Sequence, residues 1–105
     1  MTTERTAPVL YLVIPCYNEE AVLPETTKRL TEKLHTMIRT GLIDRESRIL
    51  YVDDGSRDQT WSLISEYSAA IPYVDGVKLA HNRGHQNALL AGLMTAAPLC
   101  DCAIS

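Results

Sequence analysis

The sequence predicts an α/β protein in which parallel strands and helices alternate in the order β-α-β-α-β-α-β. Short apolar runs typical of buried strands alternate along the chain with longer segments whose apolar residues recur at helical spacing. Polar turns separate these segments, and no repeat or linker interrupts them. Strands that alternate with helices pair in parallel through right-handed crossovers, and 105 residues suit a single domain.

The first strand and helix have clear limits. The run 9–14 is continuously apolar and Pro15 follows it, which predicts a strand buried on both faces that ends at residue 14. Pro24 suits the first position of the following helix, and Gly41 suits its end. The helix carries one apolar stripe at helical spacing, formed by Leu23, Leu30, Leu34, Met37 and Ile38.

The second strand is predicted over residues 48–52, and the polar turn 53–57 follows it. Asp58 is a good capping residue for a helix over 59–70. The spacing of its apolar residues indicates an inward face formed by Leu63, Ile64, Tyr67 and Ala70.

The third strand is predicted over residues 74–80, and a polar turn at 81–84 leads into a helix of small residues over 85–97. Pro98 stops this helix. Residues 99–105 begin a fourth strand that the chain barely completes, so we expect residues 1–105 to be the N-terminal part of a longer domain. An unfinished sheet could support association between copies of the chain.

The composition excludes several classes of protein. A formal net charge of −3, 46% apolar residues and 22% charged residues are ordinary for a globular protein and exclude disorder. The mild acidity argues against a nucleic-acid partner, which requires a basic face. No apolar run approaches the roughly 20 residues of a membrane span, and no signal peptide is recognisable, so we expect a cytoplasmic location.

Three cysteines are consistent with reduced thiols in that location: Cys16, Cys100 and Cys102. Cys100 and Cys102 would share one face of a strand. A three-cysteine metal site is conceivable, but zinc pairs usually have wider spacing. We therefore favour small buried hydrophobic residues.

Three polar turns follow the first three predicted strands, at residues 15–19, 53–56 and 81–85. Parallel α/β sheets bind ligands beyond the carboxyl ends of their strands, where these turns meet. The sequence therefore predicts a binding site at that edge of the sheet.

The residue types in these turns suit a nucleotide. Asp53 or Asp54 could accept hydrogen bonds from a base or a ribose, and Asp54 is favoured because Gly55 lets a ligand approach the backbone. Tyr17 offers a flat face for a base, and Arg83 offers a fork for a phosphate. The first turn contains no glycine, so the dinucleotide fingerprint G-x-G-x-x-G is missing.

These residues also have simpler explanations. Segment 53–56 is equally compatible with an ordinary turn, in which aspartates bond the local backbone. His81 and His85 have the spacing of a metal-ligand pair, but Gly84 between them indicates a turn rather than a helix face.

Three segments together resemble the motifs of family 2 glycosyltransferases, in the right order and spacing: 13–20 (VIPCYNEE), 53–60 (DDGSRDQT) and 83–93 (RGHQNALLAGL). The third segment is similar to the branch that contains dolichyl-phosphate mannose synthases and polyprenyl-phosphate glucosyltransferases. The resemblance implies a GT-A fold, a three-layer Rossmann-like parallel sheet that binds a nucleotide-diphospho-sugar.

The resemblance also implies roles for individual residues. Asp54 would meet the base, Asp53 would support the pocket, and Arg83 and Gly84 would lie near the sugar diphosphate. The complete set of nucleotide-sugar-binding residues that it implies is Pro15, Tyr17, Glu19, Asp53, Asp54, Arg83 and Gly84.

The implied reaction is transfer of a hexose from a UDP- or GDP-sugar to polyprenyl phosphate, with inversion, at the cytoplasmic face of a membrane. A divalent cation, Mg²⁺ or Mn²⁺, would be held by a D-x-D motif beyond Ser105. We therefore expect no catalytic residue and no metal ligand within this chain, and negligible transferase activity from these 105 residues alone. Two alternatives stay open: a soluble family 2 transferase acting on a glycan or cell-wall acceptor, and a non-catalytic nucleotide-binding module.

Overall fold

The computed structural model describes residues 7–79 and 85–104, and it confirms the α/β prediction. The strands are β1 (Leu10–Cys16), β2 (Arg48–Asp53), β3 (Val74–Lys78) and β4 (Cys102–Ile104). They form one parallel sheet in the order β3-β2-β1-β4. The chain therefore builds the sheet outward from β1 to β3 and then returns to the other side of β1.

The helices are α1 (Leu23–Arg39), α2 (Thr60–Ala70) and α3 (His85–Ala96), and a short 3₁₀ turn (Ala97–Leu99) follows α3. Side chains of α1 and α2 pack in the core on one face of the sheet, while those of α3 pack in a second core on the other face. The protein therefore has the three layers that the resemblance implied.

The two cores follow the alternation of the central strands. Residues Leu10, Cys16, Ile49 and Tyr51 face α1 and α2. Their neighbours in the chain face α3, and these are Val9, Tyr11, Val13, Leu50 and Val52. Because successive residues of a strand point to opposite faces, these contacts also fix which face each residue at the end of a strand belongs to.

The first strand does not end before Pro15, as predicted, but continues to Cys16. The backbone groups of successive strand residues point alternately to the two neighbouring strands. The carbonyl oxygen of Cys16 accepts the N–H of Asp54 on the β2 side, and that of Val9 accepts the N–H groups of Asp101 and Cys102 on the β4 side. By this alternation the nitrogen of Pro15 faces β4, which pairs with β1 only from Leu10 to Leu12. Its missing N–H therefore costs no ladder bond with any described strand.

The fourth strand begins later than predicted. Cys100 precedes it and is half-buried, whereas Cys102 lies within it and is exposed. The prediction of buried cysteines therefore holds for Cys16 and is wrong for Cys102, because β4 lies at the edge of the sheet. Asp101 joins β4 to β1, since its Oδ2 accepts the N–H of Val9 at 2.8 Å.

The predicted limits of the other elements differ by a few residues at most. Helix α2 begins at Thr60 and leaves Ala70 exposed rather than inward. Strand β3 ends at Lys78. Among residues 7–79 and 85–104, no helix combines the length and apolar character needed to cross a bilayer.

Candidate functional site

Strands β1 and β2 end side by side at the carboxyl edge of the sheet. Cys16 lies opposite Asp53 in the parallel register. The N–H of Asp54 donates to the carbonyl oxygen of Cys16 at 2.8 Å, which extends the pairing by one residue. The first turn (residues 17–22) and the second turn (residues 54–59) therefore leave the sheet next to each other, as the sequence predicted.

The two aspartates at this edge are both buried. Asp53, the last residue of β2, continues the alternation of Ile49 and Tyr51 toward α1 and α2, and Asp54 is the first residue after the strand. Asp53 is fully buried and Asp54 is 3% exposed. A pair of carboxylates with so little exposure needs specific polar partners.

Asp53 organises the second turn. Its Oδ1 accepts the N–H of Ser56 at 3.3 Å, and its carbonyl oxygen accepts the N–H of Leu79 at 2.9 Å. Its Oδ2 is buried and has no hydrogen-bond partner within the described part of the chain. A buried carboxylate oxygen is costly to leave unpaired, so a further hydrogen-bond donor at this atom would be stabilising.

Asn18 connects the first turn to the second. Its backbone N–H donates to the Ser56 hydroxyl at 2.9 Å, and its side-chain Oδ1 accepts the N–H of Arg57 at 2.9 Å. Its φ of 51° lies in the left-handed region, where asparagine is among the most tolerant non-glycine residues.

A second connection involves the start of α2. The N–H of Glu19 donates to the Thr60 hydroxyl at 2.8 Å, and the N–H of Glu20 donates to Asp58 Oδ2 at 3.2 Å. Asp58 Oδ1 in turn accepts the hydroxyl of Thr60 at 2.5 Å and its N–H at 2.9 Å. Asp58 therefore does bind the first N–H of α2, as a cap would, but it also ties the helix to the first turn.

These bonds affect the charge of Asp58. Desolvation raises its pKa, but the hydrogen bonds from the Thr60 hydroxyl, the Thr60 N–H and the Glu20 N–H together lower the pKa overall. Asp58 is thus held as a carboxylate that only accepts hydrogen bonds. We call the bonds that the side chains of Asn18, Ser56, Asp58 and Thr60 make to the facing turn the turn clasp.

The turn clasp decides how the first turn can meet a ligand. It uses the backbone N–H groups of Asn18, Glu19 and Glu20, so these groups cannot hold a phosphate. In dinucleotide-binding folds the first glycine-rich turn holds the pyrophosphate through its backbone. A ligand at this turn would have to meet side chains instead, and the Tyr17 side chain in this turn is 40% exposed.

Cys16 lies beneath the same edge and is chemically quiet. Burial raises the pKa of its thiol to about 12, and the negative charges of Glu19 and Asp53 add to the effect. The thiol donates weakly to the carbonyl oxygen of Ile14, 3.6 Å away. Because the thiolate is the nucleophilic form, Cys16 is a structural residue and not a reactive one.

The described residues offer no metal centre. Cys16 lies in the core on the α1 and α2 side and Cys100 in the core on the α3 side, so the sheet separates them. Nowhere in 7–79 or 85–104 do three or more His, Cys, Asp or Glu residues gather as a metal site would require. The resemblance places the ligands of the implied divalent cation beyond Ser105, and residues 7–79 and 85–104 do not form a metal site of their own.

Five of the predicted site residues come together at the carboxyl edge: Pro15, Tyr17, Glu19, Asp53 and Asp54. Arg83 and Gly84 lie outside the described residues, as does His81. The roles of Asn18, Ser56 and Thr60 were not predicted, and the prediction of Asp58 as a helix cap covers only part of its role.

A cavity of about 740 Å³ lies away from this edge, along the outer side of α1. Charged side chains line it, among them Lys28, Glu32 and Lys33. It contains none of the buried carboxylates of the strand ends, so we place the functional site at the carboxyl edge and not here.

Together these features define a class: a Rossmann-like α/β protein whose carboxyl edge carries acidic and aromatic side chains and has no glycine-rich turn after β1. The model of the family described as "Glycosyl transferase family 2" matches residues 11–97. The chain belongs to this family, which confirms the resemblance seen in its sequence.

Curated relatives agree with the assignment. The chain is 51% identical over 102 residues to the "Uncharacterized glycosyltransferase YkoT" of Bacillus subtilis (strain 168), which covers 97% of this chain and 30% of the relative. It is 40% identical over 83 residues to the "Undecaprenyl-phosphate 4-deoxy-4-formamido-L-arabinose transferase" of Shewanella sediminis (strain HAW-EB3), covering 77% of this chain and 23% of the relative. The chain therefore spans under a third of the length of these relatives.

A solved structure supports the fold. It is the "Mannosyltransferase PcManGT from Pyrobaculum calidifontis in complex with GDP-Man and Mn2+", with a TM-score of 0.63 and 25% sequence identity. The match covers 90% of this chain and 25% of that one. The GT-A fold implied by the sequence is thereby confirmed.

Proposed function

We propose that this chain is the donor-nucleotide part of a glycosyltransferase that moves a hexose from a UDP- or GDP-sugar to polyprenyl phosphate. The observation that carries the proposal is that the exposed Tyr17 and the buried pair Asp53 and Asp54 lie at the paired carboxyl ends of β1 and β2. The family match covers both of these segments. The complex of the mannosyltransferase with GDP-Man and the undecaprenyl-phosphate relatives support the donor and the acceptor, respectively.

The residues divide the recognition of the nucleotide between them. The exposed ring of Tyr17 stacks on the base, as aromatic rings do on flat apolar surfaces. Asp54 accepts a hydrogen bond from the base or the ribose. Asp53 supports the pocket, and its Oδ2 can accept one further hydrogen bond. Pro15 and Glu19 complete this side of the pocket.

Arg83 and Gly84 complete the proposed site on the diphosphate side. A guanidinium forms paired, charge-assisted hydrogen bonds with phosphate oxygens. The backbone of the first turn is occupied by the turn clasp, so the diphosphate requires donors from elsewhere, and the third turn of the sequence supplies a suitable cation.

In the proposed reaction an oxygen of the acceptor phosphate attacks the anomeric carbon from the face opposite the diphosphate. The new C–O bond forms as the bond to the diphosphate breaks, and the nucleoside diphosphate leaves with the electron pair. The configuration at carbon is inverted. The acceptor is already an anion, so it needs little help from a general base.

The remaining parts of the proposal lie outside the described residues. The mannosyltransferase complex contains Mn²⁺, and we place the ligands of a divalent cation beyond Ser105. The acceptor is a lipid phosphate, so the full-length protein works at the cytoplasmic face of a membrane.

Calorimetric titration of the full-length protein with UDP and with GDP tests the donor half of the proposal. One nucleotide should bind, and Asp54→Ala should weaken binding by about 10- to 100-fold, the value of one charge-assisted hydrogen bond. Asp75→Ala, at an exposed position on β3, is the matched control and should bind normally. Failure of both nucleotides to bind, or normal binding by a folded Asp54→Ala, would contradict the proposal.

Transfer assays test the acceptor half. Radiolabelled hexose should pass to undecaprenyl phosphate in the presence of a divalent cation. Transfer to a soluble glycan alone would replace the lipid acceptor with a glycan or cell-wall acceptor. Nucleotide binding with no transfer to either acceptor would favour a non-catalytic nucleotide-binding module.

A further inference from the structure

We propose that Asn18, Ser56, Asp58 and Thr60 are positioning residues for donor binding: the turn clasp that they form holds the Tyr17 ring at a fixed place relative to Asp54. The proposal rests on the proposed function, because it takes Tyr17 and Asp54 as the residues that meet the nucleotide. It assigns to the four clasp residues an effect on donor affinity without any contact to the donor.

The direction of the bonds in the clasp is fixed by chemistry. The N–H of Glu19 can only donate, so the Thr60 hydroxyl must accept it at 2.8 Å. The same hydroxyl then gives its single proton to Asp58 at 2.5 Å. Asp58 must be ionised to accept this bond together with those from the N–H groups of Thr60 and Glu20. Removing the Thr60 hydroxyl therefore breaks two hydrogen bonds at once: the one from the Glu19 N–H and the one to Asp58 Oδ1.

Tyr17 and Asp54 are held in different ways. Asp54 is 3% exposed, and its N–H is bonded to the end of β1. The Tyr17 side chain is 40% exposed and belongs to neither core. The backbone therefore sets the point and direction from which its side chain extends, and the three residues that follow Tyr17 are the ones that the clasp binds through their N–H groups.

The backbone next to Tyr17 also requires support from the clasp. Asn18 has a φ of 51°, and a non-glycine residue in this region persists when its surroundings hold it. Bonds to Ser56 and Arg57 on both its N–H and its side-chain oxygen provide that support. Without these bonds the first turn can relax, and the free energy needed to order it again would weaken nucleotide binding.

The first experiment compares Thr60→Val with Thr60→Ser in the full-length protein. Calorimetry with the nucleotide that the wild type binds should show a Kd raised about tenfold by Thr60→Val and largely restored by Thr60→Ser, because serine keeps the hydroxyl. Thr36→Val removes an exposed hydroxyl from α1 and is the matched control with no expected change. In turnover assays the effect should appear in KM for the donor, with kcat at saturating donor nearly unchanged.

Asn18→Gly provides a second route if Thr60→Val fails to fold. Glycine keeps the left-handed backbone but loses the oxygen that binds Arg57, and we expect a Kd raised several-fold, in the range of one lost hydrogen bond.

A double-mutant cycle with Tyr17→Ala separates positioning from general damage. If the clasp acts through the ring, adding Thr60→Val, or Asn18→Gly if Thr60→Val does not fold, to Tyr17→Ala should raise Kd no further.

Three outcomes would overturn the inference, and they are distinct from failure of the proposed function. Folded Thr60→Val and Asn18→Gly proteins that bind like the wild type would show that the clasp does not position the site. If Thr60→Val raised Kd in the Tyr17→Ala protein as much as in the wild type, the clasp would not act through the Tyr17 ring. A lower kcat with an unchanged KM for the donor in these variants would show that the clasp has a role other than positioning for donor binding. Absence of nucleotide binding by the wild type would instead overturn the proposed function itself.

Discussion

Gly92 in α3 packs directly against Val13 in β1. A Cβ atom at position 92 would overlap Cγ1 of Val13 and lie 2.7 Å from Cγ2 of Val52. The helix can therefore approach the central strands only because residue 92 has no side chain.

Gly92→Ala should lower the free energy of unfolding by about 1–3 kcal/mol, because the added methyl group overpacks a filled core. Chemical denaturation monitored by circular dichroism measures the loss. Met94→Ala, an exposed position on the same helix, should have little effect. Equal stability of Gly92→Ala and the wild type would show that α3 does not press on the strands as described.

The Asp58 carboxylate should make stability fall in acid. Its pKa is lowered from 3.8 by the hydrogen bonds of the clasp, so its contribution is complete above the unfolded value. The contribution is lost as the pH falls through the folded value. Asp58→Asn should therefore be less stable than the wild type near neutrality, with the difference shrinking below about pH 4. A difference that stays constant from pH 6 to the acid limit of folding, measured with urea at each pH, would rule out this role.

The buried hydroxyl of Tyr51 should make stability fall in alkali. It lies 2.7 Å from the Thr27 hydroxyl inside the α1 and α2 core, and burial raises its pKa from 10.0 to about 12, partly opposed by that hydrogen bond. A raised pKa gives stability that is complete below the unfolded value and is lost as the pH rises through the folded value. Tyr51→Phe should therefore lose less stability than the wild type between pH 10 and pH 12.

Tyr51→Phe should also lower the free energy of unfolding at neutral pH. It leaves the Thr27 hydroxyl without this bond, which should cost about 1–3 kcal/mol in urea denaturation at pH 7. Identical alkaline profiles for Tyr51→Phe and the wild type would indicate that Tyr51 is not the titrating group.

The three thiols should react with iodoacetamide in the order of their exposure. Cys102 is exposed, Cys100 is half-buried, and Cys16 is buried with a pKa raised to about 12. Mass spectrometry of the native protein should find Cys102 modified first and Cys16 unmodified until denaturant is added. Modification of Cys16 in the native protein as fast as that of Cys102 would contradict its placement beneath the carboxyl edge.

Local sequence signals were sufficient to predict the helices and strands and the position of the first two turns at one edge of the sheet. Pro24 and Gly41 mark the ends of α1 closely, and the parallel topology by itself brings the first two turns to one edge. The left-handed backbone of Asn18 and the close approach of Gly92 gave no clear signal, because both depend on neighbours distant in the chain.

The turn clasp could not be predicted for the same reason. Thr60 and Glu19 are 41 residues apart, and their hydrogen bond exists only because β1 and β2 pair in one particular register. Pro15 shows the opposite case, in which a local rule failed. A proline ends a strand only if a neighbouring strand needs its N–H, and that depends on how far β4 extends.

The proposed nucleotide position is the carboxyl edge of the sheet, between Tyr17 and Asp54. An isotope-filtered NOESY spectrum of the full-length protein with bound UDP or GDP tests it most directly. We expect cross-peaks between base or ribose protons and the ring protons of Tyr17. Cross-peaks to Met37 and Leu42 in the α1 cavity, with none to Tyr17, would place the nucleotide elsewhere and contradict the claim.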